Sequence, residues 1–321
     1  KDKEKSTHSK EVLTGIGSFG SLFNLKDIFT NYKEPVMVQS IDGVGTKIII
    51  ARKMNKFNTI GIDLLSACAN DILVMGAKPL TFLDYIANDK LNPKIVAEIV
   101  EGMTNACKDT GVSLVGGETA EMPDTYEKGK FDIAGFAVGV VSKNKILNKN
   151  RIKKDNLILA IPSSGLHSNG FSLIRYIIKK KKINITKNKF LKYELLKPTK
   201  IYVKEVMNLI TKNLINGCAN ITGGGLSDNV KRVIPDNLVA EIDLNKIKTL
   251  KIFNWLKENG ISDDEMLKTF NCGVGFCLIT NKKNLNKIYH LFPKNYKPYV
   301  IGKITGGKNK VKLNGSFNWV T

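Results

Sequence analysis

The chain has 321 residues, of which 42% are hydrophobic and 25% are charged, and its formal net charge is +21. This composition is typical of a globular protein with one large or two ordinary domains, and no apolar run approaches the roughly 20 residues that span a bilayer. The lysines are spread along the whole sequence and form no stripe with aromatic residues, so we predict neither a membrane nor a nucleic-acid partner. A basic nucleic-acid-binding protein stays open as an alternative, which salt-sensitive binding to generic DNA or RNA would reveal.

The cysteines and histidines argue against a disulfide framework and against a zinc site. Five cysteines show no CxxC spacing, and His8, His167 and His290 lie far apart in the sequence. An odd number of unpatterned thiols suits a reducing compartment, so we predict a cytoplasmic protein. Because the sequence does not begin with Met, we also expect the natural N-terminus to lie upstream of Lys1.

The first half of the chain predicts alternating strands and helices. We expect a strand that starts at residue 35 and breaks at Asp42-Gly43, a helix over 59–76, a strand over 80–87, a helix over 93–109, and strands over 112–115 and 131–142. The strand 112–115 leads into GGETAEMP, residues 116–123, which we expect to form a loop. Lys and Asn dominate around residue 145, which predicts a domain boundary there.

The second half continues the alternation. We expect a strand over 157–161, helices over 171–181 and 200–213, a strand over 218–221, a short helix from Ser227, helices over 251–259 and 263–270, a strand over 273–280 and a β tail over 297–320. The fold class is therefore α/β (α+β), with an N-terminal domain over residues 1–146 and a C-terminal domain over 147–321.

A glycine-rich stretch near the N-terminus is the first candidate for ATP binding. Gly15, Gly17 and Gly20 follow the pattern GxGxxG, and the N–H groups of such a loop can surround phosphates. The pattern follows no clear strand and lacks the GKS or GKT ending of a P-loop, so a flexible surface turn is the alternative.

The stretch DGVGTK, residues 42–47, combines groups that suit a metal-bound polyphosphate. A carboxylate at a strand end is followed by glycines, a hydroxyl and a cation. We predict that Asp42 holds Mg²⁺, that Lys47 meets a phosphate oxygen, and that Gly43 and Thr46 belong to the same site. The alternative is an ordinary turn in which the Asp42 side chain accepts backbone N–H groups.

Polar residues on the helix 59–76 and on the next strand extend this site. At about 100° per residue, Asp63 and Asn70 line up opposite the apolar stripe, with Asp71 at its margin. These three residues could form half of a metal-binding cage or a solvated face. Residues 57–77 contain no Lys or Arg, and because a solvated face in this lysine-rich chain should carry some, we favour the cage. Asp84 is an acid within a β pattern, and a buried carboxylate needs a partner that a cation would supply.

The stretch GGETAEMP carries glycines directly before carboxylates. We predict that Gly116 and Gly117 let the backbone approach the nucleotide, while Glu118 reaches a Mg²⁺ that bridges its phosphates. Glu121 would share a face with Glu118 on a helical turn, and we expect it only to orient the loop. A capped helix start is the alternative.

The second half has polar glycine-rich loops of its own. Hydroxyl and N–H groups at a helix N-terminus attract a sugar phosphate, and the loop SSGLHSNG precedes a predicted helix. His167 could bind a phosphate or transfer a proton, with a structural histidine as the alternative. FNCGVG is a third, weaker turn of this kind. The candidate ribonucleotide-binding residues are Ser164, His167, Ser168, Asn169, Thr222 and Gly223.

Long blocks of the sequence occur in one order: DGVGTK, IGIDLLSACANDILVMGAKPLTFLDY, LVGGETAEMP, SSGLHSNGFSLIR, ITGGGLSDNVKRVIPDN and FNCGVG. In these blocks, from about residue 11 to residue 305, the chain resembles the phosphoribosylformylglycinamidine cyclo-ligase family, also called aminoimidazole ribonucleotide (AIR) synthetases. HSNGFSLIR together with FNCGVG points to the cyclo-ligases within a wider superfamily. That superfamily includes selenophosphate synthetase, thiamine monophosphate kinase and a hydrogenase-maturation protein.

The resemblance implies an activity and an assembly. Such enzymes convert formylglycinamidine ribonucleotide and ATP to aminoimidazole ribonucleotide, ADP and phosphate in purine biosynthesis. They are homodimers whose N-terminal domains join strands into a shared β-barrel, with ATP beside the N-terminal domain and the ribonucleotide in the cleft toward the C-terminal domain. With ATP and Mg²⁺ as cofactors, we expect Asp42, Asp63, Asp71 and Glu118 as metal ligands and Lys47, Asp84 and His167 as catalytic residues.

Another enzyme of the same superfamily is the alternative within this fold. Selenophosphate synthetases usually carry a reactive Cys or selenocysteine in the N-terminal glycine-rich region, and no Cys precedes Cys68 here. A thiamine monophosphate kinase stays open. An ATPase assay with and without formylglycinamidine ribonucleotide would distinguish these activities.

Overall fold

The chain is divided into two compact units, Lys1–Ile146 and Leu147–Thr321, in a computed structural model that describes residues 2–14 and 17–319. Each unit is built around its own mixed sheet with helices packed on it. Within the described ranges, no helix is both long enough and apolar enough to cross a membrane.

The N-terminal unit has a sheet with strand order β1-β4-β2-β3. Its helices are α1 (Asp2–Lys5), α2 (Lys26–Asn31), α3 (Lys47–Met54), α4 (Asn58–Val74) and α5 (Pro93–Thr110), and its strands are β1 (Pro35–Gly43), β2 (Lys78–Asn88), β3 (Ser113–Glu121) and β4 (Phe131–Ser142). β2 and β3 run parallel, and β4 is antiparallel to both β1 and β2. The described sheet is open, with β1 and β3 at its edges, so a barrel shared between two copies stays a prediction.

The helices α4 and α5 pack closely against each other because each has a glycine at the contact. A Cβ at Gly61 of α4 would lie 2.1 Å from the carbonyl oxygen of Ile99, and one at Gly102 of α5 would lie 1.8 Å from that of Asn58. The side chain of Asn92 caps α5 by accepting backbone N–H groups, and the helix ends at a left-handed glycine. The predicted helices over 59–76 and 93–109 are thereby confirmed.

The prediction of a loop at GGETAEMP is wrong for its first six residues. Gly116 to Glu121 continue β3, with Gly117 opposite Asp84 and Glu121 opposite Asn88 of β2. Pairing with β2 in a parallel ladder holds this segment as a strand and overrides the low strand propensity of glycine. Glu118 and Glu121 therefore lie on a strand, where residues three apart point to opposite faces, and the alternative of a capped helix start is wrong for this segment.

The C-terminal unit has a sheet with strand order β10-β7-β9-β5-β8-β6. Its helices are α6 (Phe171–Lys180), α7 (Lys189–Glu194), α8 (Val203–Thr211), α9 (Gly225–Val233), α10 (Lys251–Glu258), α11 (Asp263–Thr269) and α12 (Leu285–His290), and its strands are β5 (Leu157–Pro162), β6 (Gly217–Asn220), β7 (Leu238–Asp243), β8 (Val274–Thr280), β9 (Tyr299–Gly306) and β10 (Val311–Asn314). β5 lies in the middle, antiparallel to β8 and β9. The predicted strands over 157–161 and 273–280 are confirmed, whereas α7, α12 and β7 were not predicted.

Candidate functional site

A row of residues crosses the N-terminal sheet from DGVGTK to GGETAEMP. Asp42 in β1 lies opposite Gly135 in β4, Gly135 lies opposite Asp84 in β2, and Asp84 lies opposite Gly117 in β3. A Cβ at Gly135 would lie 3.0 Å from Cγ of Leu64, so this row faces α4. Neighbouring strands are about 4.8 Å apart, which puts the backbones of Asp42 and Asp84 roughly 10 Å apart on one face.

The second glycine of GGETAEMP leaves room for the Asp84 carboxylate. A Cβ at Gly117 would lie 2.4 Å from Oδ1 of Asp84 and 2.9 Å from its carbonyl oxygen. Burial, assisted by the charge of Glu4, raises the pKa of Asp84 to about 7. A carboxyl group with a pKa in this range suits the catalytic role predicted for Asp84, which stays a prediction.

Asp42 of β1 and Asp71 of α4 both carry charges that act on Cys68 of α4. Burial raises the pKa of the Cys68 thiol to about 12, and the negative charges of Asp42 and then Asp71 contribute to the rise. The same thiol lies 3.2 Å from the carbonyl oxygen of Gly135 in the row described above. Asp42 is exposed, and its Oδ1 accepts the Gly43 N–H at 2.7 Å, as in the turn considered for this motif.

Lys47 and Asp63 form a buried ion pair. Nζ of Lys47, the first residue of α3, lies 2.7 Å from Oδ2 of Asp63 in α4, and both side chains are 0% exposed. Burial lowers the pKa of Lys47, while the Asp63 charge opposes that shift. The solvated face considered for Asp63 and Asn70 is wrong, since both are buried. Contact between Lys47 and a phosphate stays a prediction, and in this structure the Lys47 ammonium is fully buried.

The predicted cage of four carboxylates is not formed within residues 2–14 and 17–319, where no three His, Cys, Asp or Glu side chains are grouped to hold a metal ion. Asp63 faces Lys47. Glu118 lies opposite Tyr85 in the β2–β3 register, on the face away from α4, because it directly follows Gly117. Asp42 and Asp71 are the predicted ligands that share the α4 side of the sheet.

The N-terminal glycine loop precedes α2. Gly15 lies outside the described residues. Gly17 has φ +107, and a Cβ at Gly20 would meet no atom within 4 Å. Gly17 has a backbone conformation that favours glycine, whereas the surroundings of Gly20 leave room for a side chain.

In the C-terminal unit the three polar glycine-rich loops converge. Oδ1 of Asn169 lies 3.4 Å from the position of a Cβ on Gly223, which joins SSGLHSNG to TGGG. Nδ2 of Asn271 donates to the carbonyl oxygen of Gly165 at 2.9 Å, which joins SSGLHSNG to FNCGVG. Asn229 of α9 holds TGGG by donating to the carbonyl oxygens of residues 222, 223 and 225.

A segment that the sequence reading missed borders the same loop. The Ser164 hydroxyl donates to the Pro198 carbonyl oxygen at 2.7 Å, and the Ser168 and Thr199 hydroxyls are 3.1 Å apart. Pro198 and Thr199 belong to KPTK, residues 197–200, between α7 and α8. In the sequence this segment is a Pro-Thr pair between two lysines. That pattern is typical of polar turns in general, so it did not indicate a functional loop.

His167 is folded into its own loop. It is 3% exposed, has φ +59, and its Nε2 accepts the Ser164 N–H at 3.3 Å. For Nε2 to accept, the imidazole must be neutral with its proton on Nδ1. This geometry fits the structural alternative, and proton transfer by His167 stays a prediction.

Two family models match the chain. The model described as "AIR synthase related protein, N-terminal domain" matches residues 28–141, and the model described as "AIR synthase related protein, C-terminal domain" matches residues 153–314. Solved structures share the fold. Thiamine-monophosphate kinase from Stenotrophomonas maltophilia K279a has a TM-score of 0.73 at 17% identity, covering 98% of this chain and 95% of its own. The hydrogenase maturation protein HypE has a TM-score of 0.71 at 16% identity, covering 97% of this chain and 92% of its own.

Curated relatives are much more similar in sequence. The phosphoribosylformylglycinamidine cyclo-ligase of Carboxydothermus hydrogenoformans is 47% identical, covering 98% of this chain and 93% of its own length. The enzyme of the same name from Ligilactobacillus salivarius is 45% identical, covering 96% and 92%. Identity at this level along nearly the whole of both chains is more specific than a shared fold. The chain therefore belongs to the phosphoribosylformylglycinamidine cyclo-ligase family.

Proposed function

We propose that the chain closes the imidazole ring of formylglycinamidine ribonucleotide with the help of ATP, giving aminoimidazole ribonucleotide, ADP and phosphate. The observation that carries this proposal is the 45–47% identity, over at least 96% of the chain, to relatives that are named for this reaction. The chain is thus a ligase of purine biosynthesis. The likeness to thiamine-monophosphate kinase, at 17% identity, supports only the fold.

The chemistry needs a leaving group on the formyl carbon. Transfer of the γ-phosphoryl group of ATP to the formyl oxygen supplies one, an amidine nitrogen attacks the carbon, and phosphate leaves with that oxygen while the nitrogen loses a proton. Alignment and charge neutralisation are the main tasks of the protein in such a reaction. Asp84, whose pKa burial raises to about 7, is our candidate for holding or moving a proton.

We assign ATP and Mg²⁺ to the N-terminal unit. Asp42 and Asp71, which both act on the Cys68 thiol, are suitable ligands, because Mg²⁺ is usually held by one or two carboxylates together with substrate phosphates. The ion would neutralise charge on the phosphates. The backbone of DGVGTK and the glycine loop before α2 would approach the nucleotide, while the Lys47–Asp63 pair fixes the start of α3 against α4.

We assign the ribonucleotide to the C-terminal unit. α6 and α9 each start after a left-handed glycine, Gly170 or Gly224, which has no side chain to cap the first N–H groups. Such helix starts favour phosphate. The contact between Asn169 and Gly223 supports a shared site for the polar groups of SSGLHSNG and TGGG.

We also propose a cytoplasmic homodimer that forms through the outer face of the N-terminal sheet. Met37 is 62% exposed, Ile41 is 72% exposed and Tyr85 is 41% exposed on this face, which is opposite to α4. Apolar side chains grouped on an open sheet are typical of an interaction surface.

The decisive experiment is an ATPase assay on the full-length protein with and without formylglycinamidine ribonucleotide. We expect ADP release to depend on the ribonucleotide, with aminoimidazole ribonucleotide formed in equal amount. Thiamine monophosphate should not stimulate ADP release. Ribonucleotide-independent turnover, or stimulation by thiamine monophosphate alone, would favour another activity of the superfamily.

The metal assignment has its own test. Asp42→Asn removes a carboxylate that we assign to Mg²⁺, so half-maximal activity should require about tenfold more Mg²⁺. Asp109→Asn is the matched control, because Asp109 is an exposed carboxylate of α5 outside the proposed site. If the two variants show the same Mg²⁺ dependence as the unmodified enzyme, Asp42 is not a ligand.

A further inference from the structure

A buried tyrosine supports the start of the SSGLHSNG loop. Tyr202 is 0% exposed, and its hydroxyl donates to the carbonyl oxygen of Pro162 at 3.0 Å. Burial raises the pKa of Tyr202, so the hydroxyl stays protonated and able to donate. Pro162 is the last residue of β5, and the loop leaves the sheet directly after it. The hydrogen bond therefore fixes the point from which the loop departs.

A glycine on the neighbouring strand leaves the space that this tyrosine occupies. A Cβ on Gly275 of β8 would lie 1.9 Å from Oη of Tyr202, 2.7 Å from Cε1 of His167 and 3.0 Å from Cα of Ser163. One missing methyl group thus makes room for the tyrosine hydroxyl, the histidine ring and the loop backbone together. The Tyr202 ring also packs on Phe276, with centroids 5.1 Å apart, which fixes its direction.

The SSGLHSNG loop contains a residue with an uncommon backbone conformation. His167 has φ +59, a left-handed backbone conformation that residues with a side chain seldom adopt. Its ring centroid lies 6.4 Å from that of Tyr202, and its Nε2 receives the Ser164 N–H. A shift of Pro162 or of the His167 ring would therefore change where the loop presents its hydroxyl and N–H groups.

We infer that Tyr202 is a positioning residue for the ribonucleotide site, acting through Pro162 and His167 in the space that Gly275 provides. The inference rests on the proposed function, since it concerns the loop that we assign to the ribonucleotide. Tyr202 contacts the base of the loop and lies outside the groups proposed to touch the substrate. Its effect should appear in the binding of the ribonucleotide and not in the binding of ATP.

The first variant is Tyr202→Phe, which keeps the ring and removes the hydroxyl. We expect the KM for formylglycinamidine ribonucleotide to rise about tenfold, while the KM for ATP stays within about twofold. The matched control is Thr280→Val. The buried Thr280 hydroxyl also donates to a backbone carbonyl, that of Leu214, but lies at the other end of the β5–β8 pair. The Thr280→Val variant should have a lower thermal stability and an unchanged KM for the ribonucleotide.

The second variant tests the space beside the hydroxyl. Gly275→Ala brings a methyl group into contact with Tyr202, His167 and Ser163, and we expect kcat/KM for the ribonucleotide to fall about a hundredfold. In the double variant Tyr202→Phe with Gly275→Ala, the 1.9 Å contact with Oη is gone. The double variant should therefore be more active than Gly275→Ala alone, which general destabilisation would not produce.

The outcomes separate this inference from the proposed function. If the unmodified enzyme does not turn over formylglycinamidine ribonucleotide, the proposed function fails first. If the unmodified enzyme is active and Tyr202→Phe leaves the ribonucleotide KM unchanged, or changes it no more than Thr280→Val does, the positioning role is wrong. Should Gly275→Ala fail to fold, recovery of folding in the double variant would support the shared space, and no recovery would contradict it.

Discussion

The two adjacent glycines of GGETAEMP differ in what a methyl group would meet. At Gly117 it would press on the Asp84 carboxylate and backbone, and at Gly116 the nearest atom is a flexible Leu83 methyl carbon at 3.3 Å. We predict that Gly117→Ala costs about 2–3 kcal/mol of unfolding free energy and impairs turnover, because the strand pairing leaves Asp84 little room. Gly116→Ala should stay within about 1 kcal/mol of the unmodified protein. Urea unfolding and ADP release measure both effects, and equal losses would contradict the assigned contact.

Asp84 gives a pH dependence with a definite sign. Its pKa is raised from an ordinary value of 3.8 to about 7 in the folded chain, so between these values the folded state holds a proton that the unfolded chain has released. This contribution to stability is present below about pH 4 and is lost as the pH rises to 7. We predict that Asp84→Asn, compared with the unmodified protein, gains stability between pH 5 and pH 8.

Urea unfolding of Asp84→Asn and of the unmodified protein at pH 5 and pH 8 measures this difference in stability. Other titrating groups contribute equally to both proteins and cancel in the comparison. Asp109→Asn provides an exposed carboxylate in the same unit as a control and should show no such gain. A difference between Asp84→Asn and the unmodified protein that is independent of pH would mean that Asp84 titrates at its ordinary pKa.

At the residue scale, sequence reasoning could select polar residues but could not predict their partners. The lack of Lys and Arg over residues 57–77 correctly indicated that Asp63 and Asn70 are not on a solvated face. It could not reveal that Lys47 lies against Asp63, because that pairing depends on how α3 packs on α4. Tyr202 was missed for the same reason, since its role depends on a glycine that is 73 positions away.

At the scale of elements, a short N-terminal segment is attached along β3 by side-chain hydrogen bonds. The Ser113 hydroxyl accepts the Ser9 N–H at 3.0 Å and donates to the Thr7 carbonyl oxygen at 3.2 Å. The Thr7 hydroxyl accepts the Leu114 N–H at 2.9 Å. This attachment places Glu4 where its charge helps to raise the pKa of Asp84.

We predict that Ser113→Ala loosens this segment without disturbing the rest of the unit. Because both bonds of the hydroxyl are lost, hydrogen exchange over residues 2–9 should accelerate about tenfold, while exchange in β4 stays unchanged. Thr110→Val is the control, since the Thr110 hydroxyl bonds within α5 to the carbonyl oxygens of Ala106 and Cys107. Equal exchange over residues 2–9 in the two variants would show that Ser113 does not hold the segment.

Element boundaries followed from the sequence where one periodicity dominated. The apolar stripe of α5 and the cap at Asn92 were sufficient to predict that helix, whereas α4 is buried on several faces and has no comparable stripe. The reading failed at Gly116 to Glu121, where glycine indicated a turn but pairing with β2 decided the structure. It also missed β7, although the turn at Pro235-Asp236-Asn237 lies directly before it, because β7 pairs with β9 and β10 from distant parts of the chain.

At the scale of the whole molecule, the two sheets differ in how they are covered. Every residue of β8 in the C-terminal unit is buried, whereas β1 in the N-terminal unit exposes alternate residues. On the outer face of β1 the exposed residues are Met37, Gln39 and Ile41, and two of these three are apolar, which is unusual for a face that contacts only water. Sequence alternation could locate β1, but it could not say whether its apolar side would face helices or a second copy of the chain.

The exposed face of β1 therefore carries the prediction about assembly. We expect the unmodified protein to sediment at twice the chain mass of 35.6 kDa, and Ile41→Glu to shift it to the monomer. A charge within an apolar interface must be desolvated, which costs several kcal/mol, so dimerisation should be lost. Because Ile41 is 72% exposed in the single chain, folding of the Ile41→Glu variant should be unaffected.

Tyr176→Glu is the control, because Tyr176 is 58% exposed in the C-terminal unit. Analytical ultracentrifugation at micromolar concentration measures the mass, and thermal unfolding checks the fold. A monomeric unmodified protein would contradict the homodimer, and a dimeric Ile41→Glu variant would place the interface elsewhere.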